Sequence, residues 1–192
     1  MNIKNGLIGT CSAALFLSAL AYFNAGSLRT SDTGVMLILG YESCRLDPYH
    51  CQAKVWTDGV GNTFDVVPNQ RITETHAARD FVHNLKHFEK GLSSMIDVNV
   101  SQNVWDSLVS FSYNVGLGAF QDSTLLKKLN KGDTTGAGKE LTRWVYSDGK
   151  ILNGLMARRQ AETELCLGLD FSGPIAEFEK QLAEHHQIAG KQ

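Results

Sequence analysis

Apolar residues recur at three- and four-residue spacing through much of the chain, and this pattern predicts a mainly helical protein. Helices are expected after Thr73 and from about Ser101, because each hydroxyl residue suits an N-cap position. Ser123 opens a shorter helix, which Gly132 closes. The apolar positions that define these three helices are Ala77, Phe81, Leu85 and Phe88; Val104, Leu108, Phe111 and Val115; and Leu125, Leu126 and Leu129.

The same spacing predicts two later helices. They run through Leu141, Trp144 and Val145, and, after Asn153-Gly154, through Leu155, Ala161 and Leu165.

The pattern changes between residues 35 and 63. The apolar run Val35 to Leu39 predicts a helix that ends near Glu42 and is stopped by Asp47-Pro48, since proline disfavours a helical residue before it. Val55-Trp56-Thr57, followed by two glycines, predicts short strands and tight turns of one small sheet. Glu42 would then lie at a helix end facing a β-hairpin, with a cleft between them. The predicted fold class is α+β.

The N-terminal segment 6–28 contains no charged residue and is flanked by Lys4 and Arg29. As a helix it would rise about 1.5 Å per residue, enough to cross a hydrocarbon core of about 30 Å. Glycine, serine, threonine and asparagine dilute its apolar residues, so its insertion is marginal. Four interpretations remain: a signal peptide cleaved after Ala19-Leu20-Ala21, a permanent anchor, an uncleaved temporary anchor that retains Cys11, and a buried soluble helix.

The chain of 192 residues fits one domain, and its formal net charge is −2. No basic face is visible in the order of Lys and Arg, which disfavours nucleic acid as a partner. The four cysteines, Cys11, Cys44, Cys51 and Cys166, allow three fully paired connectivities. Export across a membrane would make disulfides available, because they persist in oxidising compartments.

Glu42, Cys51 and Thr57 form the candidate chemical motif. Glycoside hydrolysis commonly needs a carboxylic acid and a second group on the other side of the sugar. Glu42 is the candidate general acid, Cys51 stands where a second carboxylate is expected, and Thr57 is suited to hold a water. The alternatives are a solvated surface glutamate and a Cys44–Cys51 disulfide that only staples the helix to the hairpin.

Zinc could in principle be bound by four residues, Cys44, His50, Cys51 and Cys166. The adjacent His50 and Cys51 do not match the spacing of a structural zinc site, so no metal is expected.

The run from Glu42 to Thr57 resembles the active-site region of glycoside hydrolase family 24, the phage-type lysozymes. Their pattern is Glu, eight residues, Asp or Cys, five residues, Thr, and the resemblance extends from about Val35 to Leu167. Further matching motifs are Trp56-Thr57-Asp58-Gly59-Val60-Gly61-Asn62-Thr63, Phe111-Ser112-Tyr113-Asn114-Val115-Gly116, Phe120-Gln121-Asp122-Ser123-Thr124-Leu125-Leu126 and Gly154-Leu155-Met156-Ala157-Arg158-Arg159. The resemblance implies a lysozyme-like α+β fold, mostly helical, whose small sheet forms the active-site cleft.

It also implies hydrolysis of the β-1,4 bond between N-acetylmuramic acid and N-acetylglucosamine in peptidoglycan, without a cofactor. Glu42 would be the general acid, and Cys51 with Thr57 would position the water in an inverting reaction; Cys51 as a covalent nucleophile is the alternative. Tyr113 and Asn114 would line the glycan cleft, or else serve as a packing aromatic and a capping amide.

Cys51 in place of Asp, together with Cys44 and Cys11, resembles the signal-arrest-release (SAR) endolysins. That resemblance implies an inactive Cys44–Cys51 disulfide and an active Cys11–Cys44 disulfide. The protein, expected as a monomer, would be held at the host inner membrane facing the periplasm and later be released into the periplasm.

The expected organisation is a short cytoplasmic segment 1–5, a weakly hydrophobic membrane segment 6–28, a catalytic domain 29–169 and a tail 170–192 that could form one amphipathic helix. Two alternatives remain open. One is a non-catalytic, membrane-tethered glycan-binding module, and the other is a lysozyme with an ordinary cleaved signal peptide.

Overall fold

The computed structural model of the protein describes residues 11–24, 26–51, 54–147 and 149–169. Within these ranges the chain is mainly helical, with two small antiparallel hairpins, which confirms the predicted fold class. The elements are α1 (Ala13–Asn24), α2 (Asp32–Tyr41), β1 (Arg45–His50), β2 (Trp56–Gly59), α3 (Glu74–Met95), α4 (Gln102–Val115), α5 (Leu117–Asp122), α6 (Thr124–Leu129), α7 (Thr134–Glu140), β3 (Tyr146–Ser147), β4 (Lys150–Ile151) and α8 (Asn153–Cys166).

Part of the predicted membrane segment, and the whole of the segment 1–5 and the tail 170–192, lie outside the described residues. Among the helices that the structure describes, none is both long and apolar enough to cross a membrane.

The described residues fall into two compact units. Among the described residues, the N-terminal unit lies within 11–29 and 39–86, and the C-terminal unit lies within 30–38 and 87–169. All three residues of the candidate motif belong to the N-terminal unit.

In the N-terminal unit, α1 packs against residues 74–86 of α3. Phe16 is fully buried, and its ring centre lies 6.2 Å from that of Phe81. The backbone N–H of Ser12 donates to Glu74 Oε1 over 3.0 Å, just before α1 begins. Thr73 accepts from the backbone N–H of His76 through its hydroxyl, so the predicted cap of α3 is confirmed.

Strands β1 and β2 pair antiparallel, with Arg45 opposite Gly59, Tyr49 opposite Thr57 and His50 opposite Trp56. The register is irregular between Arg45 and Tyr49, and Pro48 lies in this interval. Proline has no N–H to give to a ladder, so an irregular position is where a strand accommodates it. Asp47-Pro48 therefore lies within a strand, and the preceding helix already ends at Tyr41.

The C-terminal unit is organised around α4, which is buried along most of its length and packs against α8. Ser101 caps α4, since its side chain accepts from the N–H of Val104, and Ser123 caps α6 through the N–H of Leu126. Both predicted caps are confirmed. At the contact between α4 and α8, the Ser107 hydroxyl donates to the Glu162 carbonyl over 2.7 Å.

The predicted helix through Leu141, Trp144 and Val145 is wrong. A 3₁₀ turn occupies Leu141–Arg143, and β3 begins soon after it at Tyr146. In a 3₁₀ turn, residues three apart share one side, so Leu141 and Trp144 produce a helix-like spacing without an α-helix. The hairpin β3–β4 that follows was not anticipated.

Candidate active site

Glu42 follows directly after the last residue of α2 and is half-buried. Three residues later β1 begins, so the carboxyl group stands in the short connection between a helix and the hairpin. This is the position at a helix end that the sequence predicts for it.

Cys51 and Thr57 are brought together by the carbonyl of Val55. This oxygen accepts from the backbone N–H of Cys51 over 3.0 Å and from the hydroxyl of Thr57 over 3.1 Å. Because the Thr57 hydroxyl donates its hydrogen to this carbonyl, the hydroxyl oxygen can only accept a hydrogen bond from a further group. Thr57 is buried and Cys51 is half-buried.

The two faces of the β1–β2 hairpin carry different groups. Residues directly opposite each other in an antiparallel pair project to the same face, and successive residues alternate. His50 and Trp56 are opposite partners, and their ring centres are 4.0 Å apart. Tyr49 and Thr57, one position away on each strand, therefore share the other face.

Tyr49 is the residue at which the candidate groups converge. Burial raises the pKa of its phenol, and repulsion by the Glu42 carboxylate raises this pKa further, as do Cys51 and Asp58. The Arg45 guanidinium, 4.0 Å from the centre of the Tyr49 ring, acts in the opposite direction. Glu42 and Cys51 are thus both within electrostatic reach of one phenol. Tyr49 is not among the site residues predicted from the sequence, although its place two residues before Cys51 on a strand is a usable signal.

Cys11 and Cys44 form a disulfide with a Cα–Cα distance of 5.7 Å. Cys44 is fully buried, and Cys51 lies outside this disulfide as a thiol. Cys166 is a buried thiol in the C-terminal unit. Burial raises its pKa to about 11, and a hydrogen bond with Ser107 acts in the opposite direction. The disulfide in this structure is therefore the one that the SAR resemblance associates with the active state.

A buried polar network follows Thr57 along the chain. The Asn62 amide donates to Asp58 Oδ1 over 2.9 Å, and the Asn84 amide donates to Asn62 Oδ1 over 3.1 Å. Burial raises the pKa of Asp58, the hydrogen bond from Asn62 lowers it, and the nearby Asp80 and His76 have smaller opposite effects. These residues line a pocket of about 150 Å³ in the N-terminal unit. The network holds the loop that leaves β2, and so the end of the strand that carries Thr57.

Tyr113 and Asn114 belong to the C-terminal unit. The Tyr113 ring centre lies 5.1 Å from that of Phe88, and the Asn114 carbonyl oxygen accepts from the guanidinium of Arg159. Both are contacts with other side chains of the protein. Their role toward a glycan stays a prediction.

Residues 40–162 match the phage lysozyme family. A SAR-endolysin of bacteriophage PS119 is 36% identical over 160 residues, which cover 81% of this chain and 96% of the relative. An endolysin of Bacillus phage B103 is 39% identical over 143 residues, or 73% of this chain. The chain spans about half the length of that relative, 54%, and of the endolysin of Bacillus phage PZA, 55%.

Two solved structures of the P1 phage endolysin Lyz are similar to this structure to different extents. Its active form superposes with a TM-score of 0.73 at 30% identity, covering 82% of this chain and 94% of the other. Its secreted inactive form gives a TM-score of 0.51 at 27% identity, covering 72% and 96%. The family match covers the hairpin, the connection that holds Glu42 and the helices of the C-terminal unit. This chain belongs to the phage lysozyme family.

Proposed function

We propose that this protein is a phage endolysin that hydrolyses the β-1,4 bond between N-acetylmuramic acid and N-acetylglucosamine in peptidoglycan. The observation that carries the proposal is the grouping of Glu42, Cys51 and Thr57 on one helix end and one hairpin, within the region that matches the family. The Val55 carbonyl joins Cys51 to Thr57, and the electrostatic effect of both Glu42 and Cys51 on Tyr49 supports a single site.

Glu42 is the general acid and gives its proton to the glycosidic oxygen as the bond breaks. A water attacks the anomeric carbon from the other side. Thr57 accepts one hydrogen of this water, because its own hydrogen is donated to Val55. The Cys51 thiolate accepts the proton that the water loses, which gives an inverted product; attack by Cys51 itself would give retention instead.

The cysteine arrangement supports regulation by disulfide exchange. Cys44 and Cys51 flank β1, whose end residues Arg45 and His50 lie opposite Gly59 and Trp56, and a strand rises roughly 10 Å between residues three apart. A disulfide requires Cα atoms within about 7 Å. Strand β1 and a Cys44–Cys51 disulfide therefore exclude each other, and forming that bond disrupts the pairing that places Tyr49 opposite Thr57. The inactive state loses both the thiol and its surroundings.

The N-terminal segment supports a release step. In this structure α1 is held by the Cys11–Cys44 disulfide and buries Phe16 and Leu20 in the N-terminal unit. While the segment lies in the inner membrane, Cys11 cannot reach Cys44, since exchange needs an accessible thiolate. After release into the periplasm, Cys11 attacks Cys44 of the Cys44–Cys51 bond. The new Cys11–Cys44 bond forms and Cys51 leaves as a thiolate, so no external oxidant is needed.

The two P1 structures support the same sequence of states. This structure, with Cys51 outside the disulfide, is more similar to the active form than to the secreted inactive form, by TM-scores of 0.73 and 0.51. A large structural difference is what we expect if the exchange rebuilds β1.

Lysis of permeabilised Gram-negative cells, followed by turbidity, tests the proposal. The protein carrying the Cys11–Cys44 disulfide should clear the suspension, and Glu42→Gln should not. Intact-mass measurement of the active protein tests the retained segment, because Cys11 cannot act if residues 1–21 have been removed. An active protein that lacks residues 1–21 would indicate a lysozyme with an ordinary cleaved signal peptide. Saccharide binding without bond cleavage would instead indicate a glycan-binding module.

A further inference from the structure

We propose that Tyr49 is a positioning residue of this site, whose hydroxyl donates a hydrogen bond to the Cys51 sulfur and favours its thiolate form. The inference rests on the proposed function and adds a residue to it. It starts from the strand register, in which Tyr49 is the direct partner of Thr57.

The hairpin geometry places three side chains on one face. Tyr49 and Thr57 are opposite partners, and Cys51 follows Tyr49 by two residues. The backbone N–H of Cys51 donates to Val55, so the chain continues its pairing for one residue beyond β1. Residues two apart on a strand project to the same side, so Cys51 lies on the Tyr49–Thr57 face. His50 and Trp56 stack on the opposite face.

Arg45 keeps the Tyr49 ring in place. Its guanidinium lies 4.0 Å from the ring centre, a cation–π contact that restrains the ring beside the hairpin. Tyr49 is half-buried, so its hydroxyl is neither fully solvated nor sealed in the core. A restrained, partly desolvated hydroxyl is a better hydrogen-bond donor to an ion than a mobile surface group is.

The charges around Tyr49 keep it protonated and therefore able to donate. Burial and the Glu42 carboxylate raise its pKa, Cys51 and Asp58 raise it further, and Arg45 opposes them. Glu42 lies in the α2–β1 connection and Arg45 lies on β1. Cys51 follows the end of β1, and Asp58 lies on β2. A neutral phenol beside a thiol stabilises the charged form of that thiol, and hydrogen bonds to ions are about twice as strong as neutral ones.

The test measures the alkylation rate of Cys51 by iodoacetamide against pH, in wild-type protein and in Tyr49→Phe. Peptide mass mapping identifies the alkylated residue and verifies the Cys11–Cys44 disulfide. Cys166 does not interfere below about pH 10 because its pKa is about 11. We expect Tyr49→Phe to raise the pH of half-maximal rate by about one unit, the size of a single charge-assisted hydrogen bond.

In the lytic assay, Tyr49→Phe should lower kcat several-fold near neutral pH with little change in KM, and the loss should diminish as pH rises. Tyr146→Phe, at an exposed strand residue, is the matched control and should change neither measurement. An unchanged Cys51 profile in folded Tyr49→Phe would overturn the proposal. Because alkylation needs no turnover, an inactive wild-type protein would contradict the proposed function without deciding the role of Tyr49.

Discussion

Cys11 is disulfide-bonded to Cys44, and the bond joins a residue two positions before α1 to the residue just before β1. Cys51 stands at the opposite end of β1. One strand therefore separates a thiol in the candidate site from the cysteine that is expected to trap it. The disulfide state and the shape of the hairpin are thus linked through the same six residues.

Replacing Cys11 or Cys44 by serine should have opposite effects on lysis. Cys11→Ser leaves Cys44 to pair with Cys51, so we expect little lysis until a mild reductant is added. Cys44→Ser leaves Cys51 with no such partner, so we expect lysis without reductant, even from membrane-bound protein. Turbidity of permeabilised cells and non-reducing peptide maps measure both outcomes.

Cys166→Ser is the control for this pair, because Cys166 is a buried thiol with no part in the exchange. It should leave the response to reductant unchanged. Membrane-bound Cys44→Ser that is as silent as membrane-bound wild type would show that the caging hypothesis is wrong.

Substitutions in the motif distinguish the role of the general acid, Glu42, from that of the second group, Cys51. Glu42→Gln should lower the lytic rate by at least about 100-fold, the lower range of general-acid contributions. Cys51→Asp should retain lysis and lose its dependence on redox conditions, since a carboxylate can accept the proton of the water but cannot form a disulfide. Cys51→Ala should be as impaired as a disulfide-locked protein.

The matched control for Glu42→Gln is Glu164→Gln, the same change at a helix residue whose side-chain carboxylate accepts from Gln160. It should leave the rate unchanged. Full activity in Glu42→Gln would remove Glu42 from the mechanism.

Asp58→Asn should alter the pH dependence of stability. Burial raises the folded-state pKa of Asp58, so the folded protein binds a proton more tightly than the unfolded chain. Stability from this residue is present below its ordinary pKa of about 3.9, and it is lost as pH rises through the raised value. Urea unfolding should be measured from about pH 3.5, just below the ordinary Asp pKa of about 3.9, to about pH 7. The free energy of unfolding should change less with pH in the variant than in the wild type.

The Asn replacement retains a carbonyl oxygen that can accept from Asn62, so the hydrogen bond survives. Asp47→Asn is the control, at an exposed carboxylate paired with Arg71, where the ion pair contributes little to stability. If both variants kept the wild-type dependence of unfolding free energy on pH, burial would not be the cause of a raised Asp58 pKa.

Glu162→Gln should strongly destabilise the C-terminal unit. Glu162 is fully buried on α8 between two guanidinium groups, 3.0 Å from Arg158 and 2.9 Å from Arg159. Neutralising it removes the negative charge that pairs with both buried cations, and loss of one partner of a buried ion pair typically costs about 3–5 kcal/mol. Chemical unfolding at pH 7 measures the loss, and Glu164→Gln on the same helix should change stability by less than about 0.5 kcal/mol. Equal effects at the two positions would contradict this account.

Helix positions in this chain were largely predictable from sequence. The caps at Thr73, Ser101 and Ser123 depend on the residue itself and on the N–H groups two or three positions later. Such interactions are local, so a linear pattern contains them. The segment 141–147 was not predictable in this way, because a 3₁₀ turn and a short hairpin imitate helical spacing and are selected by packing, as between Trp144 and Phe111.

The sequence by itself determined the family, the general-acid candidate and the two competing partners of Cys44. These conclusions depend only on the types of residues and on their spacing along the chain, which can be read without the fold. The tertiary structure decided that Cys44 is bonded to Cys11 here, and that Tyr49 stands opposite Thr57. Both depend on strand register and on the docking of α1, which involve residues distant in the chain. A one-residue change in register would move Tyr49 to the other face of the hairpin.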